Sequence, residues 1–155
     1  MRSRRSRHDL FPWHRFEVGR GARVEQFTVL NNGAGDILIG AGARVGFGSV
    51  VIGPGWMGDR AGLGLHVFVA GCNHGYADAT RDSNVQPLVG REVVIGRESH
   101  IGANSVVVAG VHIGERVQVG AGSVVTKDIP SYCVAAGKPA RVNKRCAVRR
   151  RRWVR

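Results

Sequence analysis

The chain has 155 residues, 43% of them hydrophobic and 23 of them glycine, which fits one globular domain with many tight turns. Its apolar runs are far shorter than the roughly 18–20 residues that cross a bilayer, and its three cysteines are widely spaced without a CxxC motif. Composition therefore argues against a transmembrane protein, a disulfide-rich secreted domain and a zinc module. It predicts a protein of the cytoplasm with reduced thiols.

The net charge of +12 is concentrated at the two ends of the chain. Residues 1–20 carry +4 and residues 138–155 carry +9, whereas residues 21–137 carry −1. We expect the runs RSRRSR and RRRRWVR to be solvated, disordered tails. They lack the interleaved aromatic residues of a single-strand platform, so no specific nucleic-acid partner is predicted. Peripheral contact with an anionic membrane surface stays open.

In chain order, a basic segment of residues 1–17, without the apolar core of a secretory signal, precedes a six-residue repeat of aliphatic residues. The repeat slips by three residues around Gly33–Asp36 and then resumes. Its upstream aliphatic positions are Val18, Val24, Leu30, Ile39, Val45, Val51, Met57, Leu63 and Val69.

The repeat stops in VAGCNHGYAD, residues 69–78. The polar residues that follow carry no aliphatic residue every six positions, so residues 75–88 are predicted to form a protruding loop. Counted from Val69, Cys72 would point inward as a small core residue, and His74 would occupy an outward strand position at the root of the loop. Long loops in compact domains are uncommon and often functional.

From Ile95 the repeat returns without error through Val125, and the fifth position of each hexad is small or β-branched. Strand side chains alternate, so a short strand at positions five, six and one points in, out and in. Glycine and small residues then form the corner. The pattern predicts an all-β protein, a parallel β-helix of about five triangular coils over residues 18–130, followed by a basic tail over residues 131–155.

The sequence resembles the hexapeptide-repeat acyltransferases and is similar to galactoside and maltose O-acetyltransferases and to enzymes that modify polysaccharides. The most specific part of the resemblance is residues 101–142, IGANSVVVAGVHIGERVQVGAGSVVTKDIPSYCVAAGKPARV. The resemblance implies a left-handed coil, a homotrimer with sites between subunits, and acetyl-CoA as co-substrate. It also implies acyl transfer to a hydroxyl of a sugar or glycan precursor.

By the same resemblance, His74 in the NHGY motif matches a general base that would deprotonate the acceptor. The polar residues that would orient the acceptor or the imidazole are Asn31, Asn32, Asn73, Tyr76, Asp78 and Gln86. The residues that would contact the coenzyme are Ala103 and Ala121 at the pantetheine and Thr126, Lys127, Arg141 and Lys144 at the phosphates. His100 stands where relatives often have tryptophan, which leaves the acceptor open, and a covalent role for Cys72 is not favoured because no partner base is apparent. No metal is expected.

The sequence leaves three alternative functions open. An antibiotic-modifying O-acetyltransferase would use the same fold and the same GCNHGYAD stretch. A trimeric scaffold without activity would make no use of the NHGY loop. A gamma-type carbonic anhydrase would need three converging histidines, but those at 66, 74, 100 and 112 include no pair five apart.

Overall fold

A computed structural model of the chain describes residues 7–147 and 152–154, with side chains described for residues 8–146. The run RSRRSR, except for the backbone of Arg7, and most of RRRRWVR lie outside these residues, and the disorder predicted there stays a prediction. Within RRRRWVR, the described residues Arg152–Val154 form a strand instead. The described chain is a left-handed parallel β-helix, as predicted, and its strands form three long sheets.

Successive strands of the chain fall in turn on sheets I, II and III, so three strands complete one coil. Sheet I contains β1 (Arg7–Asp9), β4 (Val29–Asn31), β7 (Val50–Ile52), β10 (Phe68–Ala70), β15 (Val106–Val107) and β18 (Val124–Val125). Sheet II contains β2 (Phe16–Val18), β5 (Ile37–Ile39), β8 (Gly55–Met57), β13 (Val93–Ile95) and β16 (His112–Ile113). Sheet III contains β3 (Arg23–Val24), β6 (Arg44–Val45), β9 (Gly62–Leu63), β14 (His100–Ile101), β17 (Gln118–Val119), β19 (Cys133–Gly137), β20 (Ala140–Ala147) and β21 (Arg152–Val154).

Two further strands, β11 (Cys72–His74) and β12 (Leu88–Gly90), form a separate antiparallel ribbon. A short 3-10 helix, Ser83–Val85, lies between them. Within the solenoid the pairing is parallel and in register, as where Ile101 lies between Leu63 and Val119.

The six-residue repeat produces the core directly. From Ile39 through Val125, the aliphatic first positions of the hexads are all buried. Burial of such side chains is worth about 1.5–3 kcal/mol each. The fifth positions are buried beside them, and several are serines. Ser99 shows why serine fits there, because its hydroxyl donates to the Gly114 carbonyl (2.7 Å) and accepts from the Val117 N–H (2.9 Å) on the next coil.

The solenoid extends beyond the predicted boundaries at residues 18 and 130. Strand β1 pairs with β4 and β2 with β5, so residues of the predicted N-terminal segment build a sixth coil. At the other end, β19 continues sheet III and β20 folds back on it in antiparallel fashion. The solenoid therefore has about six coils where about five were predicted, and residues 131–147, predicted to belong to a basic tail, include the strands β19 and β20. The hexad spacing is absent from both segments, so the repeat could not indicate them.

The corner between sheets II and III carries a column of charged residues in the left-handed conformation, Arg60, Glu98 and Arg116. The carboxylate of Glu98 accepts from the guanidinium groups of Arg60 and Arg116, and Arg116 also lies over the ring of Tyr132, 6.0 Å from its centroid. The hydrogen bond from Arg60, then that from Arg116, lowers the pKa of Glu98 to about 2. The column links three successive coils on the surface.

Among the described residues, no helix has the length and apolar character needed to cross a membrane.

Candidate active site

The ribbon of β11 and β12 leaves the solenoid at the corner between sheets I and II. Strand β10 ends at Ala70, so His74 lies on the ribbon and not at the predicted outward position of a solenoid strand. It pairs with Leu88 in the antiparallel register and is exposed. Cys72, predicted to face the core, is only partly buried, because the chain has already turned out of the coil there.

The loop beyond the ribbon is ordered by its own side chains. Gln86 is buried, its amide donates to the carbonyls of Asp78 (3.0 Å) and Arg81 (3.1 Å), and its carbonyl accepts from the Asp78 N–H (3.2 Å). Asp78 in turn accepts from the N–H and hydroxyl of Thr80, which lowers the pKa of its carboxyl. At the neck, Gly75 donates to the Pro87 carbonyl, and a Cβ at Gly75 would lie 2.7 Å from that oxygen.

A groove of about 550 Å³ lies between the ribbon and sheet I. Its lining combines the ends of solenoid strands with residues of the ribbon and of the N-terminal segment: Phe11, Asn31, Gly33, Ala34, Ile52, Phe68, Ala70, Cys72, Asn73, His74 and Leu88. The described residues provide the His74 imidazole with no hydrogen-bond partner. Burial raises the pKa of the Cys72 thiol, which keeps that neighbour protonated and uncharged. The His74 imidazole is thus accessible to a ligand, and the other side chains that line the groove are uncharged.

Of the predicted acceptor residues, the structure brings Asn31 and Asn73 into the groove with His74. The carbonyl of the Asn31 side chain also accepts from the Gly33 N–H at 2.7 Å. Tyr76 is 80% exposed and lies outside the groove lining.

Two other predicted acceptor residues have structural roles instead. Asn32 is fully buried and its amide binds the backbone of Phe11 and His14. Gln86 is occupied by the loop backbone, and Asp78, proposed as a partner of the imidazole, is bonded to Thr80. The Asn32 and Gln86 side chains thus satisfy backbone groups of the chain, as buried polar side chains usually do.

The predicted coenzyme residues do not line the groove of the same protomer. Ala103 and Ala121 lie on the corner between sheets III and I, where the Gly122 N–H donates to the Ala103 carbonyl at 2.8 Å. Thr126 and Lys127 are exposed on the corner between sheets I and II, two coils beyond the ribbon, about 10 Å at the usual strand spacing.

Arg141 and Lys144 are exposed on β20, opposite Ala136 and Val134. His100 lies over Gly62 on sheet III and lines a different cavity of about 270 Å³ with Arg44, Arg60 and Glu98. The predicted donor residues therefore flank sheet I on both sides, while His100 faces away from His74.

No group of three or more metal-ligating side chains is close enough together to hold a metal ion within the described part of the chain. The three cysteines are free.

Several residues of the groove were missed by sequence reasoning. Phe68 occupies the outward position of its hexad and is exposed. An aromatic residue at an outward position is a signal in the sequence that could have indicated the groove. Phe11 and Leu88 lie outside the repeat, and no spacing in the sequence indicates that they meet His74.

A family model described as the hexapeptide repeat of succinyl-transferase matches residues 92–127. This stretch of the chain therefore carries the hexapeptide repeat of that family. A curated relative, a dTDP-3-amino-3,6-dideoxy-alpha-D-galactopyranose 3-N-acetyltransferase of Aneurinibacillus thermoaerophilus, is 59% identical over 49 residues, 32% of this chain and 26% of that protein. The chain spans about a quarter of the length of the curated relatives it matches.

Solved structures agree on the fold. A variant of AntD, an N-acyltransferase from Bacillus cereus in complex with dTDP and coenzyme A, matches with a TM-score of 0.80 at 22% identity, over 93% of this chain and 79% of that one. A maltose O-acetyltransferase from Clostridium difficile 630 matches with a TM-score of 0.56 at 28% identity, over 84% of this chain and 66% of that one. The β-helix of this chain is thus shared with proteins that transfer acyl groups to nitrogen and to oxygen.

Proposed function

We propose that the chain is an acyl-CoA-dependent acyltransferase, with acetyl as the expected acyl group, acting on a sugar or glycan precursor with His74 as general base. The observation that carries this proposal is the exposed His74 imidazole, without a hydrogen-bond partner among the described residues, in a groove of about 550 Å³. The names of the relatives support the chemical class, because they include acetyltransferases with sugar acceptors.

The reaction needs one base and no resident cofactor. The imidazole of His74 accepts the proton of the acceptor hydroxyl while the acceptor oxygen attacks the thioester carbonyl carbon. When the tetrahedral intermediate collapses, the carbon–sulfur bond breaks and the imidazolium returns the proton to the sulfur of coenzyme A. The same steps serve an amine, so the acceptor atom is decided by which group the groove places beside the imidazole.

We further propose that the active unit is a homotrimer, with each groove closed by a neighbouring copy. The outward face of sheet I supports this arrangement, because a strand face in water normally carries polar residues. Here most outward positions are apolar, with Asp9 and Asn31 as polar ones: Val29, Val50, Ile52, Phe68, Ala70, Val106 and Val124. An apolar sheet face of this extent is typical of a protein interface.

Donor residues supplied across such an interface would explain why none of them lines the His74 groove of the same protomer. Coenzyme A would then lie beside the corner of Ala103 and Ala121, with its phosphates near Lys127, Arg141 and Lys144. The cytoplasmic location and contact of the basic ends with anionic membranes stay predictions.

The proposal is tested by thiol release from acetyl-CoA with a panel of acceptors: methyl galactoside, maltose, dTDP-4-amino-4,6-dideoxyglucose and chloramphenicol. We expect His74→Ala to lower kcat by about 10²–10⁴-fold with an unchanged dissociation constant for acetyl-CoA. His112→Ala is the matched control, because His112 is exposed on sheet II outside the groove. A fully active His74→Ala protein would exclude the base, and turnover of chloramphenicol alone would favour the antibiotic-modifying alternative.

The trimer is tested separately by light scattering, which should give three times the protomer mass of 16.7 kDa. Val106→Asp, on the apolar face but outside the groove lining, should produce monomers and abolish turnover. A monomeric and active wild-type protein would contradict the arrangement.

A further inference from the structure

The N-terminal segment supplies an aromatic wall to the groove of His74. The ring of Phe11 lies directly over Gly33, so close that a Cβ at Gly33 would be 3.0 Å from its Cε2 atom. Phe11 lines, together with Phe68 and Leu88, a groove whose lining contains no charged side chain. A ligand held there is recognised by apolar contact and by the amides of Asn31 and Asn73.

The side chain of Asn32 holds the backbone of Phe11 in place. The Asn32 carbonyl oxygen accepts from the Phe11 N–H at 2.6 Å, and its amide donates to the carbonyls of Phe11 (3.2 Å) and His14 (3.0 Å). The ring nitrogen Nδ1 of His14 donates back to the Asn32 backbone carbonyl at 2.7 Å. Because Asn32 has no exposed surface, water does not compete for these hydrogen bonds, and this clamp ties the segment to the solenoid.

Trp13 lies beside Phe11 on this clamped segment. The two ring centroids are 5.0 Å apart with an interplanar angle of 37°, and Trp13 is 68% exposed. An exposed indole next to a second aromatic ring forms a rigid apolar platform, since each ring loses little conformational freedom when it binds. The C–H face of a sugar ring packs on such a surface, whereas a phosphate gains nothing from it.

We propose that Phe11 and Trp13 form an aromatic platform that binds the acceptor, and that the reacting unit of the acceptor is an uncharged sugar ring with an apolar, deoxygenated face. The inference rests on the proposed function, which it deepens. Asn32 is a positioning residue of this platform and contacts no substrate. Any nucleotide phosphate on the acceptor is held away from the groove lining.

The test compares two acceptors that differ by one hydroxyl, methyl β-D-fucopyranoside, which is 6-deoxy, and methyl β-D-galactopyranoside. We expect a lower KM for the fucoside. Trp13→Ala and Phe11→Ala should raise that KM about 5- to 50-fold, with kcat and the KM of acetyl-CoA unchanged. Asn32→Asp, which loses both donors of the clamp, should reproduce the KM effect of Phe11→Ala.

Trp56→Ala is the matched control, because Trp56 is 43% exposed but lies on sheet II. An equal KM for the two glycosides, an unchanged fucoside KM in both aromatic variants, or a rise in the KM of acetyl-CoA alone would overturn the platform.

A second readout does not depend on turnover. In a protein with Trp56→Phe and Trp153→Phe, the remaining fluorescence of Trp13 should be quenched or blue-shifted on titration with the fucoside. Thiol release without such a change overturns the platform and leaves the proposed function intact. A fluorescence change without thiol release for any acceptor overturns the proposed function and leaves a sugar-binding site.

Discussion

The coils from Ile95 to Val125 and the ribbon around His74 are stabilised in different ways. In the coils, each aliphatic residue packs on its counterpart one coil away, and the strands pair in the same parallel register from coil to coil. The ribbon has one antiparallel pairing and depends on polar bonds made by Gln86 and Asp78 to its own backbone. The repeat thus provides rigidity, and the interruption places an imidazole beside an open groove.

The largest effect on stability is expected inside the coils. Ile101→Ala should lower the free energy of unfolding by about 2–5 kcal/mol, because Ile101 has no exposed surface and lies between two coils that cannot close the cavity. Chemical denaturation measures this loss. Gln118→Ala, on the outward face of the next strand in sheet III, should change stability by less than about 0.5 kcal/mol. Equal losses at the two positions would contradict the nearest-neighbour description.

A smaller and local effect is expected in the loop. Gln86→Ala removes three hydrogen bonds between the Gln86 side chain and the backbone of Asp78 and Arg81, which should weaken the loop by about 1–3 kcal/mol while the solenoid keeps its stability. Hydrogen exchange should show faster exchange confined to residues 75–88, together with reduced turnover. Val85→Ala, 64% exposed in the same turn, is the control. A fall in the unfolding temperature of the whole protein would mean that the two regions are not independent.

The coils also provide a way to test whether the solenoid binds the donor. Lys127→Ala should raise the dissociation constant of coenzyme A by about 3- to 10-fold, and the effect should shrink with added salt, because Lys127 is an exposed cation. Isothermal titration at two salt concentrations measures this. Arg20→Ala removes one exposed charge at the opposite end of the solenoid and should leave the constant unchanged. If both variants bind equally well, the phosphates lie elsewhere.

The smallest effect is expected at the charged column on the coil corner. Glu98→Gln should lower the melting temperature by about 1–4 °C at pH 7, because the ion pairs with Arg60 and Arg116 are exposed. The folded-state pKa of Glu98 is about 2, below its ordinary value of 4.5, so its contribution is complete above about pH 4.5 and is lost as the pH falls toward 2. Melting curves of the two proteins should therefore converge at low pH. A difference that grows on acidification would refute this assignment.

The predicted acceptor residues fall into two groups, those that line the groove and those whose side chains bind the backbone. His74, Asn31 and Asn73 were indicated by the sequence and lie together in the groove, since each is tied to the repeat or to its interruption. Asn32 was assigned to the acceptor by resemblance to relatives and Gln86 by its place near His74, but the side-chain amides of both are hydrogen-bonded to the backbone. Sequence proximity cannot separate these cases, because it does not indicate which polar side chain is enclosed.

The sequence by itself determined the coil. A period of six with aliphatic first positions can be buried in only one kind of structure, so the fold and its core residues from Ile39 to Val125 follow from spacing. Only the tertiary structure decided that Phe11 lines the groove of His74, with Trp13 beside Phe11, and that residues 7–18 and 133–147 extend the solenoid. These contacts join residues that are far apart in the chain and lie outside the six-residue repeat. They depend on hydrogen bonds of individual residues such as Asn32, so the repeat does not predict them.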